Sequence, residues 1–365
     1  MLKVIKERSS LVNTRNSLKK GEITIGVIGG SISVADTESR WPEPVIAWFL
    51  NKCPGLRINV ENAAIGASGS EFGVFRVEDH IISKKCDLVF VEYAVNDGGI
   101  KKEKRMRTRE GLLRKLLFSG STDVVVVYTF NRPMYDRMMS GIVPDTISDF
   151  EILTEHYGLN SVWMGLKALN DLKNGKMKWK EWLPDGHVHP ESRGSLSYAE
   201  SVIEFLDSSL NKKEDEKNDV LKIPTSYDKN CWEETYQTPF EDLSFTGPWV
   251  VRRWTKTPWY NRIIQTASPI AKFEFDFMGR GISLGFAFAK VSADFRYRID
   301  HGEWKEYIFD RPTWCPEEEI WHRIINIADD LTNKNHHFEY EVFFRSNDSL
   351  CEGTNTKIGL IGIVK

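Results

Sequence analysis

The sequence predicts a parallel α/β domain covered by helices on both faces, followed by an antiparallel β-sandwich. Up to about residue 210, nearly continuous apolar runs of strand length alternate with amphipathic stretches, which is the pattern of right-handed crossovers between strands buried on both faces. Residues 211–219, NKKEDEKND, are charged and nearly free of apolar side chains, as a linker is. Beyond them the hydrophobic period changes to two, the signature of strands with one buried face. A first domain is therefore expected over 1–210, a linker over 211–224 and a sandwich domain over 225–365.

In the first part the strand candidates are ITIGVIG at 23–29, LRINVEN at 56–62, DLVFVEY at 87–93 and DVVVVYT at 123–129. Helical patterns lie between or after them at 42–52, 71–83, 105–117 and 147–156, and an amphipathic stretch over 192–210 closes the domain. In the second part, AKFEFDF at 271–277 sets Ala271, Phe273, Phe275 and Phe277 on one face and Lys272, Glu274 and Asp276 on the other. DFRYRID at 294–300 and FEYEVFF at 338–344 repeat the alternation, and Asp300-His301-Gly302 is a turn signal.

Composition narrows the classes of function. At 365 residues and 41% hydrophobic, the chain is long enough for two domains with cores of their own. A net charge of −3 supplies neither a basic footprint for nucleic acid nor a polybasic stretch for anionic lipid. The N-terminus has no apolar core of signal-peptide length, and no stretch reaches the ~20 apolar residues of a membrane span. A cytoplasmic location is the expectation. Cys53, Cys86, Cys231, Cys315 and Cys351 are odd in number, far apart and without a C-x-x-C pair, so they read as free thiols.

Three strand ends carry the chemistry. Gly29-Gly30-Ser31 follows the first strand, NAAIGASGS with Gly66 follows the second, and AVND with Asn96 follows the third. In a parallel sheet such loops converge at the carboxyl edge, where ligands bind. A serine hydroxyl is a weak nucleophile and needs a base, an orienting carboxylate and fixed donors for the oxyanion. DGHVHP at 185–190 offers Asp185, His187 and His189. A phosphate-binding turn is the alternative for Gly29-Gly30-Ser31, but neither G-x-G-x-x-G nor a P-loop lysine is present. No third ligand accompanies the H-x-H pair, so no metal or other cofactor is expected. Asp97 reads as a residue that holds its loop, the basic run 101–109 as the exposed start of a helix, and His336-His337 as a solvated loop before a strand.

Taken together, these blocks resemble those of the SGNH (GDSL-type) hydrolases, over roughly residues 21–210. The resemblance implies a flavodoxin-like three-layer α/β/α fold with Ser31 as nucleophile. Ser31 N–H, Gly66 N–H and the Asn96 amide would form the oxyanion hole, with His189, followed by Pro190, as base and Asp185 orienting it. Three positions depart from the family pattern. Gly30 stands in place of the usual Asp, Ala94 in place of the Gly of the Gly-x-Asn-Asp block, and Asp185 precedes His189 by four residues where three are usual. Either the loop bulges or the site works closer to a Ser–His dyad. His187 is the competing base.

Six of the twelve tryptophans, Trp249, Trp254, Trp259, Trp304, Trp314 and Trp321, lie in the second part. Trp314 and Trp321 flank a proline-containing loop and are the candidates for stacking on a sugar ring; His187 is a further candidate for substrate contact. An SGNH domain followed by a Trp-containing, jelly-roll-like sandwich resembles bacterial carbohydrate O-acetyl esterases with a carbohydrate-binding-like module. The expected activity is removal of acetyl groups from mannan- or xylan-derived oligosaccharides. A lipid or thioester acylhydrolase would need an apolar acyl channel, and the loops after Ser31 and Asn96 are poor in long apolar side chains. A non-catalytic glycan-binding protein would have no use for Ser31, Asn96 and His189 together.

Overall fold

The computed structural model describes residues 2–34, 40–212, 223–343 and 355–365. It divides into two compact units, Met1–Glu233 and Glu234–Lys365.

The first unit is built from β1 (Ile5–Lys6), α1 (Val12–Lys20), β2 (Glu22–Gly29), α2 (Pro42–Lys52), β3 (Arg57–Asn62), α3 (Ser70–His80) and β4 (Leu88–Glu92). There follow α4 (Lys102–Phe118), β5 (Asp123–Val127), α5 (Tyr135–Met139), α6 (Asp145–His156), β6 (Asn160–Val162), α7 (Met164–Lys173), α8 (Trp179–Trp182) and α9 (Ser192–Asn211). The strand order is β1-β6-β5-β4-β2-β3; β2 to β6 are parallel and β1 pairs antiparallel to β6. Ile23, Ile25, Val27 and Ile28 of β2 and Leu88 to Val91 of β4 are buried, which is why these runs are apolar at nearly every position. Chain order reverses between β2 and β4: β3 lies on one side of β2 and β4 on the other. Loops leaving their carboxyl ends therefore part and leave a crevice.

Much of the expected linker, residues 213–222, lies outside the described residues. Residues 223–233 belong to the first unit because they pack along α4. Trp232 is fully buried and its N–H bonds Arg107 O at 3.0 Å. The buried Glu110 carboxylate accepts the N–H groups of Tyr227 and Asp228, while Arg114 holds Glu233 and Pro224 O. Gly111 is required at the crossing, since a Cβ there would lie 2.3 Å from the Trp232 backbone.

The basic run 101–109 differs from expectation. Lys101, Lys102 and Glu103 are exposed, but Arg105 and Arg109, one helical turn apart, face inward. Arg105 binds Asp149, and Arg109 forms a wholly buried pair with Asp97.

The second unit is all β: β7 (Thr235–Gln237), β8 (Ser244–Thr246), β9 (Val250–Arg253), β10 (Arg262–Thr266), β11 (Lys272–Gly279), β12 (Gly281–Phe288), β13 (Asp294–Ile299), β14 (Lys305–Tyr307), β15 (Trp321–Ala328), β16 (Lys334–Phe343) and β17 (Thr356–Val364). One sheet has the order β15-β12-β17-β10-β9 with β7 also on β17, and the other has β14-β13-β16-β11-β8. In β11, Phe273, Phe275 and Phe277 are buried and Glu274 and Asp276 exposed, as the alternation requires. They share a core with Leu284, Phe286 and Phe288 of β12 and Ile358 and Ile363 of β17. Asp300 and His301 adopt positive φ in the turn from β13 to β14, so the turn signal marks a real reversal.

His336-His337 is not a solvated loop. Both residues lie within β16 opposite Phe277 and Asp276. His336 is buried because its two ring nitrogens are satisfied by Asp300 Oδ2 and Thr332 O, both at 2.8 Å. Cys86, Cys231 and Cys315 are buried free thiols and Cys53 a half-buried one, while Cys351 lies outside the described residues. Among the described residues no helix is long and apolar enough to cross a membrane.

Candidate functional site

Ser31 is presented by the turn that leaves β2 at the crevice. Gly29 pairs with Glu92 across β2 and β4, and a Cβ on Gly29 would meet the Glu92 carbonyl at 2.7 Å. At Gly30 a Cβ would sit 1.9 Å from Asn96 Oδ1 and 3.0 Å from Nδ2. A side chain at position 30, including the aspartate usual in the resembling family, is thus excluded by Asn96. The turn closes with a Ser33 N–H to Gly30 O bond of 3.1 Å.

The loop after β3 runs back along this turn. Ile65 N–H donates to Gly29 O at 2.9 Å, and Asn62 Nδ2 donates to Ser33 O at 2.8 Å. Gly66 consequently lies beside Ser31, whose Cβ is 3.7 Å from where a Gly66 Cβ would be. Asn96 begins a short 3₁₀ turn after β4. Its neighbour Asp97 anchors that turn, accepting Ser70 N–H at 2.9 Å, Ser70 Oγ–H at 2.8 Å and Arg109 Nε–H at 2.7 Å. Breaking one side of such a buried pair costs about 3–5 kcal/mol, so the position of Asn96 is stiffly held.

His189 faces Ser31, with Nε2 2.9 Å from Ser31 Oγ. His187 does not: its carbonyl accepts Arg132 N–H at 2.9 Å, and its side chain is exposed. The additional residue in the loop is absorbed as a bulge. Gly186 takes the left-handed conformation, φ 72°, and the chain curls so that Asp185 accepts the N–H groups of His187, Val188 and His189 at 2.7, 3.1 and 3.1 Å. Asp185 Oδ2 stands 3.4 Å from His189 Nδ1, beyond a good hydrogen bond but close enough for a charge to be felt. Burial acts to raise the Asp185 pKa, but the three backbone N–H bonds and His189 outweigh it and hold the carboxyl below its usual range. Below the loop, Trp182 is fully buried against Phe130, ring centres 4.5 Å apart, and Glu191 N–H bonds Trp182 O at 3.1 Å.

Ser31, Gly66, Asn96, Asp185 and His189 thus come together from four segments. A hydroxyl within bonding distance of an imidazole, flanked by a backbone glycine and a primary amide at a crevice, is suited to nucleophilic attack on an ester carbonyl. Sequence reasoning missed Glu92, Ser33, Thr129 and Arg132, which support these loops. The signal for Glu92 was a charge inside the apolar run DLVFVEY, where only a satisfied carboxylate can be buried.

Among the described residues of the second unit, Trp314 is the one tryptophan in the exposed class, 63% accessible, and it packs on Trp321 with ring centres 4.5 Å apart. Elsewhere on this unit His301, His337 and Glu339 place ligand atoms within 4.8 Å of one another. Arg298 already occupies both Glu339 oxygens, at 2.8 and 2.6 Å, so a cation there would compete with a guanidinium.

No family model matches the chain. No curated protein matches it. Among solved structures, the whole fold is similar to a two-domain esterase active on acetylated mannans, co-crystallised with mannopentaose: TM-score 0.80, 22% identity, covering 99% of this chain and 96% of that one. A second structure of a two-domain esterase active on acetylated mannans gives TM-score 0.81 at 21% identity, covering 99% and 97%. The chain shares their fold, an α/β unit followed by an antiparallel β unit.

Proposed function

We propose that the chain is a serine esterase of the SGNH type that removes O-acetyl groups from acetylated carbohydrates, with mannan- or xylan-derived oligosaccharides as substrates. The observation that carries this reading is the 2.9 Å contact of His189 Nε2 with Ser31 Oγ beside Gly66 and Asn96. The sugar substrate is supported by the full-length fold likeness to an esterase active on acetylated mannans. In this reading the first unit, Met1–Glu233, is catalytic and the second, Glu234–Lys365, is a carbohydrate-binding-like domain.

Ser31 Oγ attacks the acetyl carbonyl carbon while its proton passes to His189 Nε2. The tetrahedral oxyanion rests on the N–H groups of Ser31 and Gly66 and on the Asn96 amide, all fixed before the reaction. His189 returns the proton to the departing sugar oxygen as the C–O bond breaks, leaving acetyl-Ser31. Water, deprotonated by the same imidazole, releases acetate and restores the hydroxyl. The charge that forms on His189 faces the Asp185 carboxylate across 3.4 Å.

The reading is tested by assaying purified protein on acetylated manno-, xylo- and cello-oligosaccharides with a long-chain ester as control. Acetate release from the sugars and none from the long-chain ester is expected; the reverse would replace this reading with a lipid acylhydrolase. Asn96→Ala is expected to lower kcat by roughly 10²–10³-fold with little change in KM, because the amide is asked to bind the oxyanion more strongly than the ground-state carbonyl. A change in KM alone would make Asn96 a residue that positions substrate.

Trp314, exposed and backed by Trp321, supplies an aromatic face of the kind that stacks on sugar rings. Remote binding contacts act only on substrates that reach them. Trp314→Ala should therefore reduce kcat/KM on an acetylated oligosaccharide several-fold and leave that on an aryl acetate unchanged. Equal losses on both substrates would make Trp314 a structural residue.

A further inference from the structure

Behind the Ser31 turn lies a carboxylate with no part in the reaction just described. Glu92 ends β4 and is completely buried, 0% accessible. No cation pairs with it among the described residues. Three donors from two segments converge on it instead: Gly30 N–H at 3.3 Å and Ser33 Oγ–H at 3.3 Å from the turn and, from beyond β5, Thr129 Oγ1–H at 2.7 Å. Ser33 Oγ is free to donate because it accepts from Trp41 Nε1–H at 3.0 Å. The first two donors bracket Ser31 in the chain, and both meet the same oxygen, Oε2. Above the turn, Asn96 is pressed against Gly30. The segment from Gly30 to Ser33 is therefore gripped from both sides.

We propose that Glu92 is the positioning residue of the nucleophile turn, and that its ionised form holds Ser31 N–H and Ser31 Oγ in the reactive arrangement. The proposal rests on the esterase reading above. The ionised form is an acceptor at both oxygens and matches all three donors. Protonation turns one oxygen into a donor, and the Thr129 hydroxyl must then reverse or a turn donor must lose its partner. Burying a charge without a counter-ion is costly, and the cost falls on the folded state.

Burial pushes the Glu92 carboxyl up to about 7, against the bonds from Thr129, Gly30 and Ser33, which lower it, and with the charge of Asp97, which raises it. The other titratable groups coupled to it are the buried phenols of Tyr93 and, on α9, Tyr198; Asp97 is itself paired with Arg109.

Glu92→Gln keeps the shape and removes the charge, imitating the protonated state at every pH. Its kcat on an aryl acetate above pH 8 should be about tenfold below wild type with KM unchanged, as expected for a small misplacement of reacting atoms. Wild type should show, beside the limb due to the histidine base, an inflection near pH 7 of that same tenfold size, and the variant should lack it. Stability supplies a readout independent of activity. Because the folded-state pKa lies above the usual 4.5, between about 4.5 and 7 the folded protein keeps a proton that the unfolded chain has released. Wild-type stability therefore falls as pH rises through that window, and Glu92→Gln should gain in Tm relative to wild type from pH 5 to pH 8.

A Tm offset independent of pH would mean that Glu92 does not titrate in this window, and an unaltered activity profile would mean that it is purely structural; either result overturns the proposal. Should the Gln variant not fold, Thr129→Val removes a donor from the ionised form and should move the inflection upward; an inflection that stays in place overturns the proposal equally. If wild type shows no Ser31-dependent ester hydrolysis, the esterase reading fails, while the Tm comparison still reports whether Glu92 titrates.

Discussion

Ser31→Ala is expected to abolish hydrolysis of a small acetyl ester, lowering kcat by about 10⁴-fold or more, with the melting temperature unchanged. Among the described residues near the turn, no other serine hydroxyl is free to accept the acetyl group. Ser33 is buried, with its oxygen committed to Trp41 and Glu92, and Ser68 is buried with its hydroxyl on Ile65 O and Gly29 O. The Ser31 hydroxyl is half-buried and bonds His189, so its removal leaves no unsatisfied group in the core. Activity on an aryl acetate and thermal melting, measured on the same preparation, check both halves of the statement. Activity within tenfold of wild type in a folded variant would move the nucleophile elsewhere.

His189→Ala should be nearly as damaging, because it removes the imidazole that stands 2.9 Å from Ser31 Oγ to take its proton. His187→Ala should change kcat no more than a few-fold, since that side chain is exposed and the loop is tied to Arg132 through the backbone of residue 187. Asp185→Asn should fall between the two. Asp185 binds its own loop amides more closely than it binds the imidazole, so the amide variant keeps much of the loop but loses the charge facing His189. The base must be neutral to act, so kcat/KM should rise with pH as the imidazole loses its proton. The depressed Asp185 carboxyl adds nothing to that rise, because a lowered pKa keeps it ionised down to pH values below the usual 3.8, and its contribution is lost only in that acid range. A large loss in His187→Ala with His189→Ala intact would reverse the assignment of the base.

The change from an α/β to an all-β pattern, and the longer elements of the first unit, were legible because hydrophobic period is a local property. A strand buried on both faces must be apolar at nearly every position, as β2, β4 and β5 are, and a sandwich strand must alternate, as β11 does. Among the elements that escaped were some too short to show a period, the two-residue β1, the three-residue β6 and the single-turn α8, and two longer helices, the largely polar α1 and the ten-residue α7. The basic run 101–109 was misjudged for a related reason. Composition marks a run as charged, but whether an arginine is solvated depends on whether a carboxylate from a distant segment waits beneath it, as Asp149 and Asp97 do.

Sequence alone determined which chemical groups stand at the strand ends, and in a parallel sheet that is enough to bring Ser31, Gly66 and Asn96 to one edge. It left open whether residue 187 or 189 serves as base, and whether the enlarged Asp–His loop bulges or loses its carboxylate. The tertiary structure supplies the geometry for both questions: His189 and not His187 stands against Ser31, at 2.9 Å across 158 positions of chain, and the loop bulges through a left-handed turn at Gly186. It also showed why position 30 must be glycine and why Glu92 is tolerated in an apolar strand: their partners lie tens of residues away, Asn96 for the one and Gly30, Ser33 and Thr129 for the other. Periodicity records how each element meets water, which is written along the chain. The choice of partner for a buried polar group is made across the chain, where closeness in space depends on how every element has packed.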